Sequence, residues 1–187
     1  MSFKNYTNKM NEILNDIDDA QIEQFINLIT SAYENEKTIF IIGNGGSAAN
    51  ASHLAQDLAK GTRKHLEQTK RIKAISLTDN ISFITALGND DGYDTIFEQQ
   101  LRTFAKEGDY LIAISGSGNS PNIIKAIQWA NDNGIITIGV TGFNGGKLKT
   151  INNYSLHTEL NDMGMVEAVH EVIFHYVVTE LYNRMSN

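Results

Sequence analysis

Within the stretch TIFIIGNGGSAANASHLAQDLAKG, residues 38–61, His53 and Asp57 stand four positions apart. On a helix that spacing puts an imidazole and a carboxylate on one face. Near the other end of the chain Glu167, Glu171 and His175 repeat the same four-residue step, and His170 lies three after Glu167. Such groups can hold a divalent ion, and mixed imidazole and carboxylate donors suit zinc. They can equally pass a proton as an acid–base pair with no metal. The spacing leaves both open. It also leaves open whether the two segments meet within one subunit or across an interface.

Two loops poor in side chains add a second kind of chemistry. GNGGS follows the first apolar run, and SGSGNS follows a later one. Each joins an expected strand to the start of an expected helix. Free backbone N–H groups and the positive end of the helix dipole meet there, which suits an anion. Ser115, Ser117 and Ser120 can cluster around one phosphate, with Ser47 reaching in from the other loop. Gly43, Gly45 and Ala48 fit a loose dinucleotide fingerprint. The acidic residue that should follow about 20 positions later has no good candidate, since Asp79 comes too late. No Gly-Lys-Ser/Thr of a phosphate-binding loop for ATP is present. A compact sugar phosphate fits better than a nucleotide cofactor.

Positioning these groups requires strands alternating with helices. The pattern predicts helix over 10–33 with a break near Asp18 and Asp19, and strands over 38–42, 72–77, 110–114, 135–140 and 154–157. Helices are expected over 47–60, 81–87, 95–105, 122–131 and 165–184. That alternation implies a parallel sheet covered on both faces, with ligands beyond the carboxyl ends of the strands. The 187 residues suit a single domain, with a helical segment over 1–36 and an α/β core over 37–187. A net charge of −7 argues against a nucleic-acid partner, and the basic stretch 60–73 reads as a solvated loop. With no cysteine, thiol nucleophiles, thiolate metal sites and disulfides are excluded. No apolar run reaches membrane length and no leader pattern opens the chain, so a cytoplasmic protein without a membrane partner is expected. His65, His157, Trp129, Lys125 and Lys147 read as structural or surface residues.

At GNGGSAANASHLAQDL, ALGNDDGYDTIFEQQL, AISGSGNSPNIIKAI, GVTGFNGGKL and VEAVHEVIFH, in that order, the sequence resembles the sugar isomerase (SIS) domain family. Within it the likeness is to the sedoheptulose-7-phosphate (phosphoheptose) isomerases, over roughly Lys37 to Val178. The resemblance implies a five-stranded parallel sheet in a three-layer α/β/α sandwich of flavodoxin type. It implies a homotetramer with active sites at subunit interfaces and an aldose–ketose isomerisation that feeds lipopolysaccharide or capsule heptoses. Carried over by position, Ser47, Ser115, Gly116, Ser117 and Ser120 bind phosphate, and Asn44, Gly45, Gly46, Asn89 and Asp90 contact the sugar. His53, Asp57, Glu167 and His175 fall where the family holds zinc. Asp57 and His175 fall on the acid–base pair, with Glu167 as an alternate base.

Two positions depart from the family pattern. Asp57 stands where Glu is usual, withdrawing the carboxylate by about 1.5 Å, and a misplacement of that size can cost about 100-fold in rate. Glu167 stands where Gln is usual and adds a negative charge. Two other readings compete: a non-catalytic SIS protein that senses sugar phosphates or associates with a partner such as a replication initiator, and an isomerase of another phosphoketose.

Overall fold

The computed structural model describes residues 2–185. Two helices, α1 (Phe3–Asn15) and α2 (Asp19–Glu34), precede β1 (Thr38–Gly43). Next come α3 (Gly46–Gln56), β2 (Lys73–Ser76), α4 (Ile81–Asp90), α5 (Ile96–Phe104) and β3 (Tyr110–Ser115). The chain continues through α6 (Pro121–Asp132), β4 (Ile136–Thr141), the short α7 (Leu148–Ile151) and β5 (Tyr154–His157), and closes with α8 (Met163–Arg184). The strands form one sheet in the order β2-β1-β3-β4-β5, and every pairing is parallel. Both edge strands are four residues long, which limits edge-to-edge association.

Alternation along the strands sorts the core into two layers. Ile39, Ile41, Ile112 and Ile114 face one side and pack with Phe25, Ile29, Leu54, Val169 and Phe174 of α2, α3 and α8. Phe40, Ile42, Leu111 and Ala113 face the other and pack with Phe97, Leu101, Ile123 and Ile127 of α5 and α6. Because both faces are covered, the central strands read as unbroken apolar runs. α1 buries none of its residues fully and leans on the first layer through Met10 and Ile13. It begins seven residues earlier than periodicity indicates, because Ser2 caps it by accepting from the Asn5 N–H. The expected break falls where Asp18 caps α2, its carboxylate accepting from Ala20 N–H.

The strand order turns between β1 and β3. The chain leaves β1 toward β2 on one side, while β3 and its successors build outward on the other. At such a switch point the two flanking loops diverge and leave a crevice. Gly43 of β1 pairs in register with Ile114 of β3, so the GNGGS and SGSGNS loops emerge side by side.

One feature has no signature in the hydrophobic pattern. α3 does not continue as α-helix to Lys60, and from Asp57 to Gly61 it widens into a π-helical turn. Such turns are rare and gather at functional sites.

His170, on α8, is wholly buried beside Phe174, with Nε2 3.3 Å from the Thr141 carbonyl. Burial pushes its pKa from the ordinary 6.5 down to about 4. The folded state therefore refuses a proton that the unfolded chain accepts, so the stability present above pH 6.5 is lost as pH falls toward 4. Urea unfolding should show a loss of about 2 kcal/mol from this group between pH 7 and pH 5. In His170→Gln that part of the pH slope should vanish.

Candidate active site

The cavity at the switch point has a volume of about 250 Å³ and is walled by Asn44, Gly45, Gly46, Ser47, Ser115, Gly116, Ser117, Ser120, Met163 and Glu167. Eight of the ten expected phosphate and sugar residues line it. Asn89 and Asp90 do not: they are exposed at the end of α4, where the Asn89 amide donates to Asp90 at 2.7 Å. The loops are stapled together by reciprocal amide bonds. Asn44 donates to Asn122, and Asn122 donates to Asn44, each at 2.9 Å. The Tyr93 hydroxyl also donates to Asn44, at 3.0 Å. Asn122 and Tyr93 escape sequence reasoning because neither belongs to a small-residue loop.

Backbone conformation explains the glycines where it matters most. Gly45 caps α3 at φ 57° with nothing within 4 Å of a Cβ position, so its constraint is the left-handed φ itself. Gly118 sits at φ 64°, and a Cβ there would collide with the Gly145 carbonyl. Its N–H donates to both the carbonyl and the hydroxyl of Ser115. Ser120 occupies the N-cap position of α6 but makes no capping bond, which leaves its hydroxyl for a ligand. The starts of α3 and α6 thus aim two helix dipoles at one small cavity, a setting for a dianionic phosphate.

From this cavity α3 and α8 run side by side in the same direction. Glu167 lies against Gly46, and the Asn50 amide donates to the Glu167 carbonyl at 3.0 Å. One turn further, His53 meets Glu171. Further still, Asp57 faces His175, its carboxylate 3.6 Å from Nδ1. The imidazoles of His53 and His175 stand edge to face with centroids 4.9 Å apart. Asp57 Oδ2 is also 3.5 Å from His53 Nε2. Glu171 Oε1 contacts His53 Nδ1 and lies 3.2 Å from His175 Nε2. The four groups therefore alternate around a ring, with each carboxylate facing one nitrogen of each imidazole.

Among the described residues, the His and carboxylate atoms close enough to share an ion belong to His53, Glu171 and His175. Glu167, carried into the ligand set by resemblance, is not in that group. Four residues on a helix drift by about 40° around the axis and eight by about 80°. Glu171, one step before His175, stays on its face, whereas Glu167 turns toward the cavity.

The other histidines have structural places. His157 Nδ1 pairs with the Thr141 hydroxyl at 2.9 Å, and burial lowers its pKa. His65 is exposed, 3.8 Å from Glu67. Lys125 pairs with Asp94, and Arg102 lies over the Trp129 ring. A larger groove of about 750 Å³ beside β2, lined by Ser52, Gln56, Asp79 and Asn80, holds none of the imidazoles. No helix among the described residues is long and apolar enough to cross a membrane.

Residues 5–142 match the family model described as SIS domain. The chain belongs to the SIS-domain family. Over 166 residues it is 37% identical to a phosphoheptose isomerase of Aliarcobacter butzleri, covering 89% of this chain and 86% of that protein. Against a phosphoheptose isomerase of Clostridium acetobutylicum it is 41% identical over 157 residues, 84% of this chain and 79% of the relative. Its backbone is similar to the solved structure of a phosphoheptose isomerase from Francisella tularensis, with a TM-score of 0.85 at 29% identity, covering 97% and 94% of the two chains. The five-stranded parallel sheet with helices on both faces is the SIS-domain α/β fold that the sequence leads one to expect.

The SIS loop around Gly118 gives a direct test. Gly118→Ala introduces both a strained φ and a backbone collision, and it should destabilise the protein by about 1–3 kcal/mol in urea unfolding. Inorganic phosphate should raise the melting temperature of the wild type and leave that of Gly118→Ala unchanged.

Proposed function

We propose a specific reaction for a chain whose relatives mark it as a phosphosugar isomerase: the interconversion of sedoheptulose 7-phosphate and D-glycero-D-manno-heptose 7-phosphate. The observation that carries this reading is the shared path of α3 and α8. They link a phosphate-sized, serine-lined cavity to an imidazole–carboxylate cluster one to three turns away. His53 lies six residues beyond Ser47, about 9 Å along the helix axis. Six C–C bonds of about 1.5 Å span a similar length in an open-chain heptose. Side chains on a helix lean back toward its N-terminus, which brings the cluster closer to the cavity. A phosphate held at the loops therefore delivers the far end of the sugar to the cluster.

The loops supply binding energy far from the reacting carbons, and that energy fixes C1 and C2 in place. The Asp57 carboxylate removes the proton from C1 of the ketose while His175 protonates the carbonyl oxygen at C2, giving an enediol. Return of the proton to C2 and loss of the proton from the C1 hydroxyl then leave the aldehyde. No net oxidant is needed. Glu167, in the cavity wall, lies at the phosphate end of the path, which makes Asp57 the carboxylate for the carbon-bound proton in this reading. Asn44 orients sugar hydroxyls. Asn89 and Asp90 keep a sugar-binding role only if ligand or a neighbouring copy draws α4 in.

A divalent ion such as zinc belongs to the same reading, and the buried, unpartnered Glu171 Oε2 beside two imidazoles fits one. When bound, it would polarise the sugar carbonyl and take over that task from His175, then one of its ligands. The side chains of His53 and His175 are 46% and 54% exposed, which supports a site closed by another copy in a homotetramer. Val172 and Tyr176, exposed on the same stretch of α8, support this too. A cytoplasmic location and a supply of heptose for surface polysaccharide complete the proposal.

Product NMR after incubation with sedoheptulose 7-phosphate should show the aldose. Asp57→Asn and His175→Ala should each lower kcat by about 100-fold or more, with smaller changes in KM. Binding without turnover in the wild type would favour a non-catalytic sensor, and turnover of a different ketose phosphate would reassign the substrate.

A further inference from the structure

The resemblance asks Asp57 and His175 each to do two things at once, to ligate a metal and to move a proton. A carboxylate tied to a dication is a poor base. We propose that this chain relieves Asp57 of the metal: Glu171, with His53 and His175, holds a divalent transition ion, while Asp57 stays unligated and Glu167 serves the cavity instead.

The ring of alternating groups supports this. Glu171 Oε1 faces His53 Nδ1 and His175 Nε2, and ligand atoms of the three residues lie within 4.8 Å of one another. Asp57 faces the opposite nitrogens, His53 Nε2 at 3.5 Å and His175 Nδ1 at 3.6 Å. An ion on the Glu171 side therefore leaves Asp57 on the outer edge of both rings. A carboxylate in that position steadies ligating imidazoles without touching the metal.

Two further facts favour Glu171 over Glu167. Glu171 Oε2 is buried and has no hydrogen-bond partner among the described residues. A cation beside it would satisfy an atom that nothing else satisfies. The Glu167 carboxylate is instead pressed against Gly46, in the space a Cβ would take. Two imidazoles and one carboxylate form a three-ligand set of the kind that leaves a fourth position open to water or substrate. The ion assigned here would therefore be catalytic in type rather than a closed structural centre. Its binding does not depend on the isomerase reading; only the role given to it does.

The experiment is calorimetric titration of the full-length, metal-stripped protein with zinc chloride at pH 7.5, and with cobalt(II) chloride followed by visible absorption. Wild type should bind one ion per chain. Glu171→Gln should lose about 100-fold or more in affinity and change the cobalt spectrum, as should His53→Ala. Glu167→Gln should bind within about threefold of wild type. Asp57→Asn should fall by no more than about 10-fold, the lower range for an outer-shell partner. Circular dichroism melts confirm that each variant is folded, and the near-isosteric Gln at a partly exposed position keeps the test sound. Wild-type zinc affinity in Glu171→Gln, a loss in Glu167→Gln equal to that in His53→Ala, or no binding by wild type would each overturn the assignment. Because no sugar is present, failure here is separate from failure of the isomerase reading, which the kinetic variants address.

Discussion

The structure depends on the co-directional packing of α3 and α8 against one face of the sheet. Ala51, Leu54 and Leu58 on the α3 segment and Val169, Ile173 and Val177 on α8 are buried in a single apolar layer. Each buried Leu, Ile or Val side chain contributes about 1.5–3 kcal/mol, and together they fix how far one helix is displaced along the other. That displacement sets which polar groups meet on the exposed seam: Gly46 with Glu167, His53 with Glu171, Asp57 with His175. A slide of one helical turn, about 5.4 Å, would pair different residues. The apolar core thus determines the chemistry of the polar seam.

The parallel sheet provides the other half. Since β1 and β3 are neighbours, the two loops that follow them open together, and their helices begin at the same cavity. The Asn44–Asn122 pair then locks one loop to the other. The cavity wall and the imidazole–carboxylate seam are built on the same rigid elements, α3 and α8. Sites built on such elements hold their geometry better than sites carried on loops alone.

Most of the architecture was legible in the residues. The β-branched runs over 38–42 and 110–114, each ending at a small-residue loop, fall on β1 and β3 almost to the residue, and the apolar spacing of 165–184 falls on α8. The cavity was legible for the same reason, since its walls are the loops themselves. The seam was legible only in part. Four-residue spacing collects His53 with Asp57, and Glu171 with His175, but it cannot say which carboxylate of α8 will face α3. That depends on the drift of about 40° at every four-residue step and on the relative displacement of two helices more than a hundred residues apart in sequence. The π-helical turn beginning at Asp57 and the amide pair at Asn44 and Asn122 are tertiary outcomes as well. Neither leaves a periodic trace.

The most direct test of the account is turnover of sedoheptulose 7-phosphate in deuterium oxide, read by NMR of the product. A proton lifted from C1 onto the Asp57 carboxylate becomes an exchangeable O–H, so it should be replaced by deuterium before it is returned. The account predicts an aldose carrying deuterium at C2. An aldose formed at full rate with only protium at C2 would contradict the solvent-exchanging proton relay given to the seam.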